Sequence, residues 1–133
     1  MRLKPSEKET QKAILELLAA ERVYAMRLNT GTAFIEGRRV QAHSGGAGVA
    51  DILAFPRVTA KFFRDCGLEV PLAEMFERVE LPIPAVLWIE VKTPDGKQSL
   101  HQHMFQHHAE SLGMFYLLAR SVDDVANWLR GHR

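Results

Sequence analysis

The sequence predicts a single α/β domain, 1–133, in which a mixed central sheet of about four to five strands is flanked by helices. Three observations lead there. The apolar pattern changes between helical and strand periods along the chain, with no internal repeat. The segment Val86–Lys92 (VLWIEVK) is apolar on both faces until its end, as expected of a central strand covered from either side. A length of 133 residues, 47% of them hydrophobic and 25% charged, suits one domain with one buried core.

The elements follow in order. Ser6 with Glu9 three residues on is a capping box, and Ala13, Ile14, Leu17 and Leu18 recur at helical spacing, so a first amphipathic helix runs to about Ala20. Val23–Leu28 alternates as a strand does, and Asn29-Thr-Gly signals a turn. Ala33–Ile35 and Val40–His43 are short strand candidates on either side of Glu36-Gly37, giving a hairpin or meander. Ser44-Gly-Gly-Ala-Gly is a flexible loop leading into Val49–Phe55, an apolar run broken only by Asp51. From Pro56 to Pro84 helical-looking pieces (Thr59–Asp65 and Leu72–Val79) are interrupted by four prolines, and the stretch at about 56–85 reads as an insertion packed on the edge. After Val86–Lys92, Thr93-Pro-Asp-Gly is a turn. Ser99 with Gln102 then opens a helix to Leu112, with Gly113 as its stop. Met114–Ala119 is a further strand, and Ser121 with Asp124 caps a terminal helix carrying Val125, Trp128 and Leu129. The expected order is helix, about three strands, helix, strand, helix.

Composition narrows the function. The longest apolar runs, Pro84–Ile89 and Met114–Ala119, fall far short of the roughly 20 residues that span a bilayer, so no membrane segment is expected. Met1–Lys12 is charged and lacks the apolar centre of a signal peptide, which points to a cytoplasmic setting. Cys66 is the single cysteine, excluding an internal disulfide and a thiolate-rich zinc site, and reads as an ordinary packed or half-exposed thiol. A net charge of +1 does not announce a polyanion partner. Even so, Arg27, Arg38, Arg39, Arg57, Lys61, Arg64, Lys92 and Lys97 all fall in the first three quarters of the chain, where they either attract phosphate locally or are ordinary solvated surface charges.

The chemistry concentrates around Asp51 and Glu90-Val-Lys92. Strand side chains alternate, so Glu90 and Lys92 share a face about 6 to 7 Å apart. Asp51, on a neighbouring apolar strand, adds a second carboxylate that repels the first unless a divalent cation joins them. Two carboxylates with the Val91 backbone carbonyl and water make an all-oxygen site suited to Mg2+ or Mn2+. Lys92 beside it can orient or deprotonate water, or stabilise developing charge, which are the parts needed to hydrolyse a phosphodiester. The plainer reading makes Glu90 and Lys92 a solvent-side ion pair and Asp51 a turn residue bonded to the glycine loop. A dinucleotide or phosphate-loop reading of Gly45–Gly48 fails, because neither fingerprint is completed and no Lys-Ser or Lys-Thr follows. His101, His103, His107 and His108 crowd one helix, and the four-residue spacing of His103 and His107 can hold zinc, but no Glu follows His103 as in a metalloprotease. They read more simply as surface residues, with His101 or His107 as candidates for phosphate binding or proton transfer. Trp88 and Trp128 lie within apolar patterns and read as core.

The combined pattern is more specific than its parts. Gly48-Val-Ala-Asp51-Ile-Leu, then Leu87-Trp-Ile-Glu90-Val-Lys92-Thr-Pro-Asp-Gly-Lys-Gln-Ser99 and Gln102, resembles the VRR-NUC family, the virus-type replication-repair branch of the PD-(D/E)xK nucleases. Ser6-Glu7 with Gln11, and Arg27-Leu-Asn-Thr-Gly-Thr, resemble the family's first helix and the strand and turn after it, so the likeness spans most of the chain. It implies a restriction-endonuclease-like three-layer fold and metal-dependent cleavage by Asp51, Glu90 and Lys92. It also implies an approach to the metal by Glu7 and support of the site by Gln102. Arg27, Asn29, Arg57 and Lys97 are the expected nucleic-acid contacts. Expected partners are DNA, branched or four-way-junction DNA in particular, and a second copy in a homodimer, as in phage or bacterial replication and repair. Two features depart from the family: Ala50 replaces the proline before Asp51, a change in backbone shape alone, and 56–84 is longer than expected. The capping box alone would account for Gln102, and the helix dipole for Glu7. A non-catalytic nucleic-acid-binding module and a protein-interaction domain are the alternatives. Against the former, all three of Asp51, Glu90 and Lys92 are present, and carboxylates facing phosphate hinder mere binding.

Overall fold

The structure, a computed structural model, describes residues 4–28, 30–35, 38–43, 48–61 and 80–133. Three helices occur among them: α1 (Glu7–Ala20), α2 (Leu100–Ser111) and α3 (Val122–His132). All three begin with a reciprocal capping box, on Ser6 and Glu9, Ser99 and Gln102, and Ser121 and Asp124. Each such cap contributes about 1 kcal/mol by satisfying amide donors that the first turn cannot. α1 and α2 also end alike. Beyond α2, Gly113 turns left-handed at φ 80°, with its N–H donating to the Glu110 carbonyl and that of Met114 to Ala109. Beyond α1 the same pair of bonds closes on Arg22, a non-glycine residue at φ 57°.

The strands are β1 (Tyr24–Arg27), β2 (Thr30–Ile35), β3 (Arg38–His43), β4 (Ile52–Phe55), β5 (Arg57–Lys61), β6 (Glu80–Pro84), β7 (Leu87–Val91) and β8 (Phe115–Ala119). β1, β4, β7 and β8 form a sheet in that order, with β1–β4 and β4–β7 antiparallel and β7–β8 parallel. The domain is therefore mixed α/β with a four-stranded mixed sheet, and β7 is interior, as its two-sided apolar pattern predicts.

Alternation of side chains divides the sheet into two faces. Ile52, Ala54, Leu87, Ile89, Val91 and Ala119 pack with Ile14 and Leu18 of α1 and Val125 and Leu129 of α3 into the main core. Trp128 packs at its border, edge-on to Phe115. On the opposite face, α2 sets Phe105 edge-on to Trp88 at 4.9 Å between ring centroids. Both tryptophans thus pack against apolar neighbours, and the β7–α2–β8 crossover covers the face that carries Glu90.

Between α1 and α2 the described residues form seven strands rather than about three. β2 and β3 pair antiparallel over the full lengths of both strands, so Thr30 and Gly31 belong to a strand and not to a turn. Thr59–Lys61 is not helical but the end of β5, paired antiparallel with β6. Local apolar spacing misleads there because cross-strand hydrogen bonding, which no short window contains, decides the conformation. Pro82 and Pro84 are tolerated in β6 because, among the described residues, it pairs only with β5 and keeps an unpaired side. The Ala85 N–H donates to the Pro56 carbonyl at 2.9 Å, so the excursion leaves and rejoins the domain at one point. Cys66, Arg64 and Leu72–Val79 lie outside the described residues. No helix among the described residues is long and apolar enough to cross a membrane.

Candidate active site

Strand register builds the site. Ile52 of β4 stands opposite Ile89 of β7, so Asp51, one residue earlier, faces Glu90, one residue later. Directly opposed residues of antiparallel strands point to the same face with Cβ atoms about 5 Å apart, so two carboxylates meet under α2. Asp51 is held at both ends: its Oδ2 accepts from the Val91 N–H at 2.8 Å, and its carbonyl accepts from the Leu28 N–H at 2.8 Å. The bond to Val91 orients its carboxylate, whereas residues 44–47 of the glycine-rich loop lie outside the described residues.

Glu90 is 1% exposed, which removes the reading of a solvent-side ion pair. Its Oε1 lies 3.1 Å from Lys92 Nζ and accepts from Gln102 Nε2 at 2.5 Å, while Oε2 is buried with no hydrogen-bond partner among the described residues. Burial first, and then the Asp51 charge, push the Glu90 carboxyl up to about 7 against the pull of Lys92. Burial also raises Asp51, opposed by the Val91 N–H, Lys92 and Arg27. Lys92 therefore offsets only part of what burying two facing carboxylates costs.

Gln102 performs two tasks with one amide. Its oxygen accepts from the Ser99 N–H at 2.8 Å, completing the α2 cap, and its NH2 reaches Glu90. The loop before Asp51 is seated on the same turn of α2: Gly48 has φ 82°, and a Cβ there would overlap the His101 carbonyl and come within 2.8 Å of the Gln102 nitrogen. Only glycine fits that crossing. Glu7 borders the site, its Oε1 accepting from the Thr93 N–H at 3.2 Å and its charge raising both Asp51 and Glu90.

The other expected residues divide. Arg27 is exposed at the end of β1, near enough to favour the ionised form of Asp51. Lys97 is exposed in the turn between β7 and α2. Arg57 is not part of this cluster: β4 carries the chain away from Asp51, and six residues of extended chain cover about 20 Å. It lines a groove with Glu21, Tyr24 and Arg133 at the other end of the sheet. Asn29 lies outside the described residues.

A divalent ion fits the donor set as a pair. The facing Asp51 and Glu90 carboxylates are hard oxygen donors, and the orphaned Glu90 Oε2 is the atom a cation would satisfy. Among the described residues no three His, Cys, Asp or Glu side chains converge as an ion-binding group, so Glu7 stands at the margin. The same holds for His101, His103, His107 and His108, which are exposed on α2 and leave the zinc reading without a third ligand.

Two further groups border the site. Gln98 Nε2 donates to the Tyr116 hydroxyl at 3.0 Å and to Gln106 Oε1 at 3.1 Å, a polar strip beside the carboxylates. Arg120, following β8, binds three carbonyls of the β7–α2 turn. Neither carries a local motif. No protein-family model, curated protein or solved structure matches the chain.

Proposed function

We propose that the protein is a nuclease of the VRR-NUC type with the restriction-endonuclease-like fold, hydrolysing DNA phosphodiester bonds with Mg2+ or Mn2+. The observation that supports this best is the buried Glu90 carboxylate facing Asp51, with one oxygen gripped by Lys92 and Gln102 and the other without a partner among the described residues. A purely structural carboxylate of this kind would cost stability without return, because its charge is desolvated and repelled. Such costs are characteristic of sites that bind or react.

Asp51 and Glu90 are the residues that hold the ion. When bound, it neutralises phosphate charge and lowers the pKa of water at the site. Lys92 favours the ionised form of Glu90 and directs an ammonium at the same volume, where it orients the attacking water and stabilises charge developing on the phosphate. Gln102 limits Glu90 to one rotamer, and Arg27 and Lys97 meet the flanking phosphates. A homodimer would set two such centres on branched DNA.

The test incubates wild-type and Lys92→Ala protein with labelled four-way junction, flap, duplex and single-stranded DNA, with and without Mg2+ or Mn2+, and resolves the products on a denaturing gel. Cleavage by the wild type only with metal, and none by a folded Lys92→Ala, is the expected result. No cleavage of any substrate would replace this reading with that of a binding module, to be followed by DNA affinity.

A further inference from the structure

We infer that Arg120 is the positioning residue of the site, holding the turn between β7 and α2 so that Lys92, Glu7 and Gln102 address the carboxylates together. The inference rests on the nuclease reading for its catalytic consequence but not for its geometry. Arg120 Nη1 lies 2.5 Å from the Thr93 carbonyl, 2.8 Å from that of Gly96 and 3.1 Å from that of Pro94. One nitrogen with two hydrogens serves three acceptors, so at least one bond is shared, and the turn is wrapped around the guanidinium. Arg120 is itself fixed, since its N–H donates to Asp124 Oδ2 at 2.8 Å, in the capping box that begins α3.

The grip falls where the site is assembled. Thr93 directly follows Lys92, and its peptide groups are held from two directions, the N–H by Glu7 Oε1 at 3.2 Å and the carbonyl by Arg120. The Lys92 N–H donates to the Ala119 carbonyl at 3.0 Å, next to Arg120 in the chain. Further on, the turn closes through the Gly96 N–H to the Thr93 carbonyl at 3.0 Å and delivers Ser99, the cap of α2, and Gln102. A Cβ on Gly96 would fall 2.9 Å from Thr93 Oγ1 and 3.3 Å from the Thr93 nitrogen and oxygen, so the turn is tightly packed there. The turn is thus a tight joint between the strand that bears Glu90 and Lys92 and the helix that bears Gln102, and Arg120 is the cation bound to its carbonyls. Without it the carbonyls return to water and the joint loosens, while the sheet and the core under α1 and α3 keep their own contacts.

Arg120→Met and Arg120→Lys separate this role from plain stability. In Arg120→Met, kcat for the preferred DNA is expected to fall about 30-fold or more with KM within about twofold, the pattern of an interaction that matters only in the transition state. Arg120→Lys, whose ammonium can reach some of the carbonyls, should recover part of the rate. In parallel, amide hydrogen exchange by NMR should show Thr93 and Gly96 opening at least about tenfold more often in Arg120→Met, with the amides of β8 and α3 unchanged. Unchanged exchange at Thr93 and Gly96 would overturn the inference, as would a loss of rate that simply follows a loss of folded protein. Should the wild type cut nothing, the nuclease reading fails and the exchange measurement alone decides on Arg120. Should Arg120→Met not fold, Arg120→Lys carries both measurements.

Discussion

Replacing Glu90 with Gln is expected to stabilise the folded protein in alkaline buffer while abolishing cleavage. The folded-state carboxyl sits at about 7 against an ordinary value of 4.5, so between those pH values the folded chain keeps a proton that the unfolded chain has lost. Stability from this group is therefore fully present below about 4.5 and is lost as pH rises through about 7. At about 1.4 kcal/mol per pH unit, the interval amounts to about 3 kcal/mol. Burial of Asp51 acts in the same direction. Glutamine keeps the shape, offers its oxygen to Lys92 and Gln102, and carries no charge to desolvate or to oppose Asp51. Urea unfolding without metal, at pH 4.5 and pH 8.5, measures the effect. With a slope of about 1.5 kcal/mol per molar, the Glu90→Gln midpoint should exceed the wild type by up to about 2 M at pH 8.5 and nearly coincide with it at pH 4.5. Mg2+ should narrow the gap at pH 8.5 by stabilising the wild type alone. Equal midpoints at pH 8.5 would refute the claim that a destabilising charge is buried at this position.

Three further outcomes follow from the same geometry. Gly48→Ala must adopt a left-handed backbone, costing about 1 kcal/mol, and must also displace the α2 backbone, whereas Gly113→Ala meets nothing and should cost only the first amount. Thermal denaturation of the two should therefore show Gly48→Ala much the less stable. Gln102→Glu keeps a side chain able to cap α2 but sets a second carboxylate against Glu90, so circular dichroism should be unchanged while the acidic limb of the pH–rate profile moves to higher pH and the rate falls about tenfold or more. Arg22→Gly relieves the left-handed residue after α1 and should raise stability by about 1 kcal/mol, read as an increase of about 4 °C in Tm.

The parts of this protein legible in its sequence are those in which cause and effect lie within a few residues. The three capping boxes and the Gly113 stop depend on bonds spanning three to five positions. β7 is legible as interior because burial on both faces leaves apolar residues at consecutive positions. Glu90 and Lys92 share a face because of the two-residue period, and their ion pair follows from it. β5 and β6 were not legible, since their partners are more than twenty residues apart along part of the ribbon and Pro82 and Pro84 argued against a strand. Arg57, basic and close to the site in sequence, ends far from it because the extended β4 intervenes.

By itself, then, the sequence determined the helix ends, the central strand and the identity of the three charged residues on which the proposed chemistry depends. The tertiary structure decided the register that sets Asp51 opposite Glu90, the contact of the Gln102 amide with the buried Glu90 carboxylate, the seat of Gly48 against α2 and the hold of Arg120 on the turn. The difference is one of range. Caps and strand faces are set by bonds and periods within one element, whereas a register, a buried charge and a long-range hydrogen bond arise only when separate elements pack and exclude water from between them.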